Sequence, residues 1–123
     1  MTMTLAKAIV LFGHGSRDPL WREPMDAVAQ RIRRAEPGVV VICAFLELQA
    51  PDLGQAVTEL SIAGVRQVCV VPMFLGVGRH AREDLPQLME QARVDHPEIT
   101  FSLQPAVGED PRLLDLLAKI ALA

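Results

Sequence analysis

Three runs of almost unbroken apolar residues limit what this chain can fold into: KAIVLF (Lys7–Phe12), VVVICAFL (Val39–Leu46) and QVCVVPMFL (Gln67–Leu75). A strand with one wet face alternates apolar and polar side chains. Runs this continuous belong to parallel strands covered on both faces. A fourth run, ITFSLQ (Ile99–Gln104), does alternate, setting Ile99, Phe101 and Leu103 against Thr100, Ser102 and Gln104, which is the pattern of an edge strand.

Helical patterns separate the runs. Trp21, Met25, Val28, Ala29 and Ile32 share one face at 3.6-residue spacing. Leu53, Ala56, Val57 and Leu60 form a second such face, stopped near Gly64. Leu85, Leu88, Met89 and Ala92 form a third, ended at His96–Pro97. Asp110 and Pro111 supply an N-cap and a first-turn proline for a last helix carrying Leu113, Leu114, Leu117 and Ile120. The order βαβαβαβα predicts an α/β fold, a three-layer α/β/α sandwich around a four-stranded parallel sheet. At 123 residues the expectation is one domain spanning positions 1–123.

Half the residues are hydrophobic and 22% are charged, which places the chain among globular proteins. A net charge of −3 gives no general attraction to nucleic acid or to anionic membranes, and neither is expected as a partner. Cys43 and Cys69 lie inside apolar runs and read as two buried, reduced thiols. The opening MTMTLAKAIVLF makes a poor secretory signal, and no run reaches the ~18 apolar residues of a membrane span. The expected location is the cytoplasm.

Ligands of open parallel sheets bind outside the carboxyl ends of the strands. Two loops fall there, GHGSR after the first strand and GVGRH after the third. Neither completes a dinucleotide or phosphate-loop fingerprint. Gly13 and Gly15 are expected to free the backbone around His14, and Gly76 and Gly78 to do the same before His80. Taken singly, His14 caps a turn and His80 begins a helix. Taken together, at the ligand edge of strands that are commonly neighbours, they suggest one cleft with an open, incomplete metal shell. Glu47 follows the second strand at the same edge. Arg17, Arg79 and Arg82 surround the two loops and suit a polyanionic ligand. Ser16 reads as a cap or a ligand contact, Glu83 and Asp84 as first-turn acids, and His96 as a surface residue at a helix end.

GHGSR, AFLE, VPMFLGVGRHAREDLP and the C-terminal PAVGEDPRLLDLL resemble the short-form CbiX family of class II tetrapyrrole chelatases, the sirohydrochlorin cobaltochelatases, over nearly the whole chain. The resemblance implies an enzyme that inserts a divalent metal, Co2+ first and Ni2+ or Fe2+ as alternatives, into sirohydrochlorin without ATP, for cobalamin biosynthesis. It implies His14 as catalytic base and metal ligand and His80 as the second metal ligand. It implies substrate contacts from Glu47 and from Leu75, Gly76, Val77, Gly78, Arg79 and His80. Arg79 stands where lysine is frequent in that family. The resemblance also implies a homodimer, in line with a mean hydropathy of +0.26. Phe74, Leu75 and Val77 offer flat apolar contact to a macrocycle. Two other classes remain open: a non-catalytic metal or tetrapyrrole carrier, and a small anion-binding module in which GHGSR cradles a phosphate.

Overall fold

In the computed structural model, which describes residues 6–123, the first apolar run becomes the inner strand β1 (Ala6–Gly13). It is followed by a 3-10 turn (Pro19–Arg22), α1 (Glu23–Ala35), β2 (Val40–Phe45), α2 (Leu53–Ile62), β3 (Val65–Pro72) and α3 (Arg79–Asp95). Then come β4 (Thr100–Leu103), a second 3-10 turn (Val107–Glu109) and α4 (Pro111–Leu122). All pairings are parallel and the strand order is β2-β1-β3-β4. β1 holds an inner place because both its faces must be covered: Ala8, Val10 and Phe12 are wholly buried and Leu11 is 2% exposed.

Two cores flank the sheet. On one face Val10, Phe12, Val68 and Val70 meet Leu53, Ala56, Val57 and Leu60 of α2 and Leu85 and Met89 of α3. On the other, Leu11, Val41, Cys43 and Phe45 meet Met25 and Ala29 of α1. The fold is therefore the expected α/β/α sandwich. The caps are local and legible. Asp52 and Gln55 form a reciprocal capping box on α2, and Gly64 leaves that helix at φ +91°. Asp110 accepts from the Arg112 N–H at the start of α4, and the Arg112 guanidinium holds its carboxyl down to about 2.

Several sequence expectations need correction. Trp21 lies on the 3-10 turn rather than on α1, edge-on to Phe45 with 6.2 Å between ring centroids. The third strand begins earlier, at Val65, and ends at Pro72 rather than Leu75. Its last ladder bond is Met73 N–H to the Phe12 carbonyl, beyond which no neighbouring strand remains to pair. Of the alternating set Ile99, just before β4, is buried as expected, Phe101 is half-buried, and Leu103 is exposed. Cys43 is buried, but Cys69 is only half-buried, and both are free. His96 is half-buried rather than free on the surface: its ring sits between Glu98 (3.3 Å) and the Thr58 hydroxyl (3.4 Å), tying the end of α3 to α2. Most telling is α4. Its apolar stripe forms as expected, yet the helix buries no residue at all. Among the described residues no helix is long and apolar enough to cross a membrane.

Candidate functional site

The loops after β1, β2 and β3 converge at the carboxyl edge, because those three strands are direct neighbours. The β1 and β2 loops are locked together by two main-chain bonds and one from the main chain to a side chain. Leu46 N–H donates to the Gly13 carbonyl (2.9 Å), Glu47 N–H to the His14 carbonyl (3.1 Å), and Ser16 N–H to Gln49 Oε1 (3.0 Å). Gly15 is needed here for two reasons. Its φ is +101°, and a Cβ at that position would collide with the Glu47 carbonyl. Gly13 is a softer case: a Cβ would lie 2.5 Å from Met25 Sδ, the end of a flexible side chain, and its φ is ordinary. Leu48, in the same β2 loop, takes φ +70°, a conformation that side chains other than glycine rarely adopt.

This interlock sets His14 against Glu47, with Nε2 3.2 Å from Oε1 and both side chains about half exposed, at 49% and 48%. Phe74, just past β3, meets the His14 ring edge-on at 6.4 Å and the Phe12 ring at 6.1 Å. Phe74 is 7% exposed. It therefore supports His14 from the core and offers no flat face to a ligand, contrary to the sequence expectation. Leu75, 65% exposed, does present an open apolar surface, and Val77 is half-buried.

The β3 loop is built differently. Gly76 and Gly78 have nothing within 4 Å of a notional Cβ and no positive φ, so the steric reason expected for them does not hold. Gly78 is the N-cap of α3 at φ −66° and ψ 159°. His80 stands in the first turn of α3 and pairs one turn on with Asp84, Nε2 to Oδ2 at 2.9 Å. Sequence reasoning took Asp84 as a helix-start acid only; the signal that could have found it is the H-x-x-x-D spacing, which puts both residues on one helix face. Neutral imidazole that donates Nε2–H to a carboxylate keeps Nδ1 as its lone-pair nitrogen. His14 and His80 share this arrangement. Among the described residues no group of three or more His, Cys, Asp or Glu side chains is placed to hold a metal ion.

The arginines separate on inspection. Arg79 is held by Glu83 (2.9 Å) on an exposed flank of α3. Arg82 lines a small apolar cavity of about 230 Å3 with Phe74, Val77, Ala81 and Leu103. Among the described residues neither Arg82 nor Arg17 has a carboxylate within ion-pair distance. Ser16 caps as expected, its hydroxyl accepting from Asp18 N–H.

Comparison with known proteins now bears on this edge. The CbiX family profile matches residues 8–121. Sirohydrochlorin cobaltochelatase of Methanosarcina barkeri is 31% identical over 95% of each chain. The enzyme of the same name from Methanococcoides burtonii is 30% identical over 93% of each. Among solved structures, a CbiX protein of Marinobacter aquaeolei VT8 assigned to cobalamin (vitamin B12) biosynthesis superposes with a TM-score of 0.81 at 32% identity, over 94% of this chain and 93% of that one. The sirohydrochlorin chelatase SirB of Bacillus subtilis subspecies spizizenii, solved with cobalt, gives a TM-score of 0.78 at 26% identity, over 94% of this chain and 49% of SirB.

Proposed function

The chain belongs to the CbiX family, and from that footing we propose that it is a sirohydrochlorin chelatase that inserts a divalent metal, cobalt first, without ATP. The reading extends to one chelatase domain over positions 1–123, a cytoplasmic homodimer, and a place in cobalamin biosynthesis. The observation that carries the reading is the pair of histidines at the carboxyl ends of adjacent strands, each with one ring nitrogen engaged by its own carboxylate.

The chemistry asks for this pairing. A divalent ion enters the macrocycle as two pyrrole N–H protons leave, so charge balances only if something near the ring takes those protons. In this reading His14, half exposed, accepts the two protons in turn at Nδ1, passing the first to solvent before it takes the second, and Glu47 stabilises the imidazolium formed each time. His80, held by Asp84, delivers the metal. Two imidazoles suit a metal in transit, because an open shell releases what a closed shell would retain. Leu75 and Val77 meet the apolar face of the ring, with the Gly76–Gly78 backbone beside them. The macrocycle's carboxylates fall to Arg17 and Arg82, with Arg79 contributing once it leaves Glu83.

Cobalt, nickel and iron all suit imidazole, and affinity order does not decide which one a cell supplies. Purified protein with sirohydrochlorin and, separately, Co2+, Ni2+ and Fe2+ tests the reading in one optical assay. Multiple turnovers with a metallated spectrum are expected, fastest with Co2+. A single stoichiometric spectral shift without turnover would make the protein a carrier. No tetrapyrrole binding would overturn the proposal.

A further inference from the structure

The β2 loop holds one residue whose backbone the packing does not account for. Leu48 has φ +70°, and among the described residues it is the one non-glycine residue with a positive φ. Glycine or asparagine is the ordinary occupant of that region, because a Cβ crowds the following carbonyl there. A leucine so placed lowers stability, and burial of its side chain is the usual compensation. Here that compensation is missing. Leu48 is 49% exposed and belongs to neither core, whereas Leu46, two residues earlier, packs against the larger one.

The conformation is enforced from both sides. Glu47 N–H donates to the His14 carbonyl (3.1 Å), and the Glu47 carbonyl fills the space where a Cβ on Gly15 would lie. Gln49 Oε1 accepts from Ser16 N–H (3.0 Å). Leu48 is the single residue between these two anchors to the β1 loop. The bonds that set Glu47 against His14 thus also hold the Leu48 backbone, and they leave its side chain in the open.

Strand order gives that side chain a counterpart. The sheet runs β2-β1-β3 at this edge. Leu48 follows β2, His14 follows β1, and Leu75, 65% exposed, follows β3. Two exposed leucines therefore flank the histidine, on loops whose strands are roughly 10 Å apart. A flat macrocycle can rest on both while its centre lies over the imidazole. A polar ligand would gain nothing from either.

We propose that Leu48 is a substrate-contact residue, held in the left-handed region so that its side chain meets the apolar face of the tetrapyrrole on the β2 side of His14, opposite Leu75. The inference deepens the chelatase reading and rests on it. Stability is given up at one position in return for grip on the ring.

Leu48→Gly separates a binding role from a structural one, because glycine relieves the backbone and removes the side chain together. Its urea midpoint should equal or exceed the parent's. Its Kd for metal-free sirohydrochlorin, measured by absorbance titration, should rise about three- to tenfold, the effect of no longer covering half a leucine. KM for the tetrapyrrole should rise alongside, with kcat within about twofold and KM for the metal unchanged. Leu48→Asn also tolerates the left-handed region but is polar, and should match the glycine variant. Leu48→Met should keep the parent's Kd. A urea midpoint below the parent's for Leu48→Gly would make Leu48 a structural residue and overturn the proposal. So would an unchanged Kd in both the glycine and asparagine variants, or a change confined to the association state seen by sedimentation velocity. In each of those cases the parent still binds and metallates sirohydrochlorin, and the chelatase reading stands. If the parent itself binds no sirohydrochlorin, both fall.

Discussion

The two histidine loops share two glycines, a histidine and an arginine, and have opposite construction. Around His14, position is fixed chiefly by the main chain: two main-chain hydrogen bonds and a third to the Gln49 side chain join the β1 and β2 loops, and Gly15 fits only because it has no side chain. Around His80, position is fixed by a helix. The glycines before it stand in open space, and the ring, 70% exposed, is held by a carboxylate one turn away. A glycine flanking a histidine therefore says little by itself. What matters is whether another backbone occupies the space a Cβ would fill.

The largest expected effect is on chemistry. His14→Ala should lower turnover about 100- to 10,000-fold, the range for losing a general base, with no change in the circular-dichroism spectrum. Near-normal turnover would remove His14 from its role. His80→Ala should also be severe, but its open surroundings leave room for imidazole added to the buffer, so partial rescue is expected at position 80 and little at position 14.

The next effect is on stability and tests the contrast in construction. Gly15→Ala places a Cβ in the left-handed region, which costs about 1–3 kcal/mol, and must also displace the Glu47 backbone. Gly76→Ala has no such obstacle and should fall within about 0.5 kcal/mol of the parent. Urea unfolding of the two variants measures the difference; equal midpoints would erase it.

Asp84→Asn should weaken metal use about 10- to 100-fold, the usual cost of losing a carboxylate behind a ligating histidine. The loss should appear in KM for the metal and leave KM for sirohydrochlorin unchanged. Smallest is the effect of the arginines. A charge-assisted bond to carboxylate contributes about 1.5–3 kcal/mol when desolvated, and less at exposed positions such as these. Arg82→Ala and Arg17→Ala should each raise KM for the tetrapyrrole several-fold, an effect that fades with salt. Arg79→Ala should do less, since Glu83 already competes for that guanidinium.

The parallel sheet, the neighbouring of β1 and β3, the edge place of β4 and the placement of both histidine loops were legible because apolar run length and topology rules act on the backbone. The true end of β3 was not. VPMFL stays apolar past Pro72, since Phe74 still faces the core after the ladder has run out of partners. The stripe on α4 could be read, but periodicity says only that a face wants cover and not what covers it. Asp84 and Glu83 were both visible at i,i+4 from a basic residue. Reading them as helix-start acids overlooked that pairing, which is what holds His80 and occupies Arg79.

The contact between Gly108 and the Leu75 backbone also bears on the order in which the protein is made. His14, Glu47 and their interlock involve only the first half of the chain, which leaves the ribosome early. The Leu75–Gly78 loop takes its shape from a residue translated much later. A nascent chain thus acquires the half of the edge that holds His14 and Glu47 before the half that holds the β3 loop is braced.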